Sequence, residues 1–207
     1  PLHISDTLVC FANSMFSVFF IIGVTAFLDV GLSRSLPGVG GVHLAPATFF
    51  GLLLGVEMIV ALLVMAPAAA LAERVGLKPV VATGFAVYAI FPALLISAPP
   101  DAVVLTALFA FSGLRFAGLP AHKALIVGPA KSDAGGRVTG AYYLLRNLIV
   151  IPSGARGGAL YGGLPNPFGA GQLIAGAPTL AFAAATVIGL VGTGYFLVAG
   201  EEFTPYQ

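Results

Sequence analysis

The stretch ATFFGLLLGVEMIVALLVMAPAAAL, residues 47–71, contains a single ionisable side chain, Glu57. About 20 apolar residues suffice for a helix to cross the roughly 30 Å hydrocarbon core of a bilayer, so this stretch is long enough to span one. A helix on the surface of a soluble protein keeps a polar face; this stretch has none. Five further runs of the same kind flank it, near 8–31, 80–98, 102–128, 138–162 and 172–198, each broken off at charge or at Pro/Gly clusters. Barrel strands alternate apolar and polar residues over about 10 positions, whereas these runs are apolar throughout and longer. The expectation is an all-α membrane protein, a single bundle of six transmembrane helices over residues 1–207 with no room for a soluble domain.

Composition agrees. Hydrophobic residues make up 58% of the 207 positions and charged residues 8%, against roughly 25% charged in an ordinary soluble domain. A net charge of +1 is too small to argue for a nucleic-acid partner. Cys10 is the sole cysteine, which excludes an internal disulfide. The chain opens at Pro1 with no basic region ahead of its first apolar run, so it is expected to begin mid-protein, with the polar HISD at 3–6 read as the end of a linker. Lys and Arg are unevenly shared among the connectors. Arg74, Lys78, Lys123, Lys131 and Arg137 lie on one side, Arg34 and Arg156 on the other. The positive-inside rule then places the first group and both termini in the cytoplasm, consistent with a multi-pass protein of the cell (inner) membrane.

Between the second and third runs stands AALAERVGLKPVVATG, residues 69–84. It resembles the Gly-x-x-x-Asp-Arg-x-Gly-Arg-Arg signature that the major facilitator superfamily repeats after its second and eighth helices. Glu73, Arg74, Gly76 and Lys78 fall on four of its positions, while Ala69 and Leu77 depart from it. A second stretch, GGRVTGAYYLLRNLIVIPSGARGGALYGG at 135–163, is similar to that family's eleventh helix. The resemblance covers nearly the whole chain and aligns it with helices seven to twelve. It implies the C-terminal six-helix half of a secondary transporter that works by alternating access. The partners implied are the lipid bilayer, an N-terminal six-helix half or a second membrane subunit, and a small-molecule substrate. It also implies that the third and sixth helices are peripheral and that the other four line a cavity. The absence of charge from the third and sixth runs fits that division.

Ionisable groups near the bilayer centre cost at least about 2.5 to 3.5 kcal/mol on insertion scales and need a partner or a water-filled cavity. Glu57 lies deep in its run. Burial alone favours its neutral acid and a neighbouring guanidinium favours its carboxylate, so it is the candidate for proton coupling; a fixed Glu–Arg pair is the structural alternative. Arg115 and Arg146 lie inside the fourth and fifth runs, keep their charge and require anions. Glu57 can compensate one of them, which leaves a surplus positive charge and suggests an anionic substrate. Asn13, Tyr142, Tyr143 and Asn147 could hydrogen-bond a substrate or simply join helices. Gly136, Gly140, Gly154, Gly157, Gly158 and Gly162 carry small-xxx-small spacings read as close helix contacts. His43 and His122 are read as belonging to connectors or helix ends. No metal-ligand spacing, cofactor motif or nucleophile–base arrangement stands out, so neither an enzyme nor a cofactor is expected. The alternative to a transporter is a non-transporting, facilitator-like scaffold or assembly subunit of a larger membrane complex.

Overall fold

The computed structural model describes residues 2–17, 19, 22, 32–36, 40–128, 135–165 and 172–201. Lys131 and the larger part of the first run beyond Ser17 lie outside the described residues. The chain is helical. Its elements are α1 (Leu2–Ser17), the antiparallel pair β1 (Leu32–Leu36) and β2 (Gly40–Leu44), α2 (Pro46–Val75), α3 (Leu77–Ser97), α4 (Ala102–Gly113), a 3₁₀ segment (Leu114–Gly118), α5 (Leu119–Val127), α6 (Gly135–Val150), α7 (Ser153–Gly162), the short pair β3 (Leu164–Pro165) and β4 (Gln172–Ile174), and α8 (Pro178–Ala199).

Among the described residues, four helical units are long and apolar enough to cross a membrane: α2, α3, the unit Ala102–Val127, and α8. They coincide with the second, third, fourth and sixth runs. The fifth run is not one continuous helix. Pro152 has no N–H and its ring crowds the carbonyl four residues back, so the run divides at Ile151–Pro152 into α6 and α7. The linker reading of HISD is overturned, because His3, Ile4, Ser5 and Asp6 form the first turns of α1, and Ser5 and Asp6 are buried. Two short strand pairs depart from the all-α expectation: β1 runs against β2 from Leu32↔Leu44 to Leu36↔Gly40 in the connector before α2, and β3, in the connector after α7, pairs with β4 at the start of the sixth run. Pairing satisfies backbone N–H and C=O groups that no helix takes up there.

Local chemistry explains the helix ends. Pro46 stands in the first turn of α2, where its missing N–H costs nothing. At the other end Gly76 adopts φ 96° and its N–H bonds the Ala72 carbonyl at 3.0 Å. That left-handed backbone suits glycine, and it lets α3 begin at the very next residue. Asp101 caps α4, its Oδ1 accepting from the N–H groups of Val103 at 2.9 Å and Val104 at 3.0 Å. In the fourth run Pro120 cannot donate to the Phe116 carbonyl, and the Leu119 N–H bonds it instead. The tightened i→i−3 pattern is the 3₁₀ segment, and it carries Arg115.

Packing centres on α3. It contacts α8, α1, α2, α4, α5 and the 3₁₀ segment, and 56% of its apolar window is buried, the largest share among the four membrane-length units. The expected division into peripheral third and sixth helices therefore fails for the third, and it does not set the sixth apart from the second either, since 39% of the α8 window is buried against 28% for α2 and no α2 residue lines the cavity described below. The fifth run shows the reverse: α6 carries charge and contains no buried residue. Two glycines set the close approaches that matter for the site. A Cβ on Gly84 would lie 2.9 Å from the Arg115 carbonyl oxygen, and one on Gly113 would lie 2.7 Å from both the Glu57 carbonyl oxygen and the Val60 Cβ. The fifth-run glycines expected to pack mostly do not, since a Cβ on Gly136, Gly140, Gly154 or Gly162 would meet open space; Gly157 alone sits tight against the Met15 backbone. Leu62, Leu63, Leu144 and Ile151 are each at least 70% exposed. Outward apolar side chains of this size are what lipid or another apolar partner covers.

Candidate functional site

Among the described residues two carboxylates are buried, and each organises an ion pair. Glu57, on α2, is 2% exposed. Its Oε1 lies 2.7 Å from Arg115 Nη2 and accepts the Ser112 hydroxyl proton at 2.6 Å. The Arg115 guanidinium also lies over the ring of Tyr88 at 4.8 Å and that of Phe116 at 4.9 Å, an arrangement that favours a cation electrostatically. Gly113 makes this pair reachable, because it allows α4 to press its backbone against α2 at Glu57.

Asp6, on α1, is the second carboxylate, and the sequence reading passed over it. It is 2% exposed. Its Oδ2 accepts the Tyr142 hydroxyl proton at 2.9 Å and an Arg146 Nη1 proton at 3.2 Å. Its Oδ1 lies 3.4 Å from His122 Nε2 and 3.5 Å from the Cys10 thiol. Tyr142 and Arg146 are four residues apart, so they reach α1 from one face of α6. Asn147 Oδ1 accepts from Arg146 Nε at 3.3 Å and Nη2 at 3.2 Å, and the guanidinium lies 4.6 Å over the Tyr143 ring. His122, read from sequence as a connector or helix-end residue, is buried within α5 between Asp6 and the Phe85 ring.

The expected surplus of positive charge is thereby corrected. Arg115 is matched by Glu57 and Arg146 by Asp6, so these four charges sum to zero. The surplus arose because Asp6, which stands just ahead of the first run, was not set against Arg146.

A cavity of ≈ 270 Å³ opens between these two pairs. Asp6, Cys10 and Asn13 line it from α1, Gly84, Phe85 and Tyr88 from α3, Arg115 from the 3₁₀ segment, His122 from α5, and Tyr143 and Arg146 from α6. Glu57 does not line it, nor do Tyr142 and Asn147, which hold other members in place. Three buried polar atoms of residues that line it have no hydrogen-bond partner: Arg115 Nε, Arg115 Nη1 and Asn13 Oδ1. The loop residues Glu73, Arg74, Gly76 and Lys78 are elsewhere. They form the α2–α3 junction, with Glu73 and Arg74 exposed, Lys78 half-buried, and none of them on the cavity wall. Among the described residues no cluster of three or more His, Cys, Asp or Glu side chains is placed to hold a metal ion.

The site can hold a small polar solute inside an apolar bundle. It offers two donors on a fixed guanidinium, one acceptor on Asn13, and aromatic walls from Phe85, Tyr88 and Tyr143. No known family's sequence profile matches the chain, and a search of curated proteins finds no match either.

Proposed function

We propose that this chain is one six-helix half of a secondary transporter of the major facilitator type, embedded in the membrane with both ends in the cytoplasm, and that the cavity is its share of the substrate path. The observation that carries the reading is the cavity itself: polar groups converge on it from helices far apart in sequence, and Arg115 and Asn13 keep hydrogen-bonding capacity in reserve there. Buried polar groups in a bilayer are costly and mark solute or ion pathways. In this reading Arg115, Asn13, Tyr143 and Arg146 face the substrate, and Tyr142 and Asn147 position Asp6 and Arg146. The coupling proton is carried by Asp6 and His122, which line the cavity, rather than by Glu57, which lies behind Arg115.

The 3₁₀ segment at Arg115 and the break at Pro152 are places where a helix can bend without losing many further backbone hydrogen bonds. Alternating access makes one position reachable from each side of the membrane in turn. Cys10, the only cysteine, lines the cavity and reports on this without engineering. In vesicles of the two orientations, a membrane-impermeant thiol reagent is expected to modify Cys10 from both sides. Labelling confined to one side refutes alternating access. The ratio of labelling from the two sides is expected to shift with pH in the wild type and in Glu57→Gln, and to lose that shift in Asp6→Asn; a shift abolished by Glu57→Gln alone returns the coupling role to Glu57.

One observation favours a second reading, a facilitator-like bundle serving as a scaffold within a larger membrane complex. Glu57 is locked between Arg115 and Ser112, as expected of a static interior. A scaffold shows Cys10 labelling from one side or neither, at every pH.

A further inference from the structure

The charge count and the unpartnered atoms say what kind of solute this cavity takes. Asp6 already has four neighbours at its two oxygens, Tyr142, Arg146, His122 and Cys10. Its charge is matched by Arg146, so it does not call for a cationic ligand. Both arginines already face a carboxylate at 2.7 Å and 3.2 Å. An incoming anion would bring an uncompensated charge into a low-dielectric interior, where isolated charges are strongly disfavoured.

Hydrogen-bonding capacity remains open although charge is balanced. Arg115 side-chain exposure is 10%, and its Nε and Nη1 donors have no partner. Asn13 Oδ1, on the facing helix α1, is an acceptor with none. Unpartnered buried groups are expensive, and a ligand that pairs them recovers that cost on binding. The volume, ≈ 270 Å³, falls just below the roughly 300 to 1,000 Å³ of ordinary ligand pockets, which restricts it to a small solute.

We infer that the cavity binds a small solute of zero net charge that presents a hydrogen-bond acceptor to Arg115 and a donor to Asn13, the pattern of a carboxamide and not of a carboxylate. A carboxylate offers acceptors only, leaves Asn13 Oδ1 unpaired and adds a charge. The apolar part of the solute rests against Phe85, Tyr88 and Leu119. This assignment rests on the reading of the same cavity as a substrate site and reverses the anionic preference drawn from the sequence.

Cys10 again supplies the readout, because a bound solute shields its thiol. The purified chain in detergent micelles at pH 8 is treated with a small neutral thiol reagent in the presence of acetamide or benzamide, or of their charged counterparts acetate or benzoate. Protection by mass action slows modification about tenfold at roughly ten times Kd. Slowing by at least one amide, with the matching carboxylate failing at the same concentration, is the expected result. Asn13→Leu removes an acceptor that no protein group uses, so the fold is retained, and the amide protection is expected to weaken. Equal or stronger protection by the carboxylates overturns the neutral class while leaving the cavity a binding site. No protection by any of the four overturns the solute assignment altogether, and two-sided labelling of Cys10 in vesicles then decides separately whether the transport reading survives.

Discussion

Replacing Arg115 by methionine removes a guanidinium whose Nη2 lies 2.7 Å from a carboxylate that is itself 2% exposed. Breaking a buried pair by deleting one partner costs about 3–5 kcal/mol, since the remaining charge is stranded. Arg115→Met strands Glu57 with Ser112 as its remaining hydrogen-bond partner, away from the cavity. The reciprocal change, Glu57→Gln, strands Arg115, but that guanidinium borders a cavity that water can enter and lies over two aromatic rings. Its expected cost is smaller, about 1–3 kcal/mol. The double variant leaves no buried charge at this pair and is expected to be more stable than the sum of the singles implies, with a coupling of about 1–3 kcal/mol. The chain has six tyrosines and no tryptophan, so near-ultraviolet circular dichroism through a titration of mixed micelles with denaturing detergent is the suitable assay. Additivity within about 0.5 kcal/mol, or a Glu57→Gln variant less stable than Arg115→Met, refutes the pairing and the placement of Glu57 outside the cavity.

The same unfolding assay reads changes at four further positions. Gly113→Ala puts a Cβ 2.7 Å from the Glu57 carbonyl oxygen and is expected to cost about 1–3 kcal/mol by overpacking, whereas Gly140→Ala, which meets open space on a helix, is expected to be neutral or to stabilise by roughly 0.5–1 kcal/mol. Gly76→Ala forces a side chain into φ 96° and is expected to cost about 1–2 kcal/mol; an unchanged midpoint would show that the α2–α3 junction relaxes to another backbone. Asp101→Ala removes the acceptor for two backbone N–H groups, with an expected loss of about 0.5–2 kcal/mol and faster amide exchange at Val103 and Val104, while Asp101→Asn retains most of the cap.

The membrane-length helices were legible because apolar length is a local property: the runs at 47–71, 80–98, 102–128 and 172–198 each reappear as α2, α3, the Ala102–Val127 unit and α8. The break in the fifth run has an equally local cause, Pro152 within it. The partners of the buried charges were not legible, because Glu57 and Ser112 are 55 positions apart and Asp6 and Arg146 are 140 apart, and nothing local selects one distant partner over another. Asp6 nevertheless left a signal. Asp6, Cys10 and Asn13 recur at i, i+4 and i+7, a spacing that places three polar groups on one face of a helix, and Tyr142 and Arg146 repeat the i, i+4 spacing on the helix that meets it. Treating the short polar prefix as a linker hid the first turn of that stripe and produced the false surplus of positive charge. The misjudged third helix has a related cause. A charge map records which helix owns an ionisable group, but a long arginine side chain places its head well away from its own axis. An uncharged helix whose glycine admits a neighbour's backbone, as Gly84 admits Arg115, can therefore form the wall of a cavity lined by charged groups. Small residues facing a charged neighbour are thus a better guide to the cavity wall than charge on the helix itself.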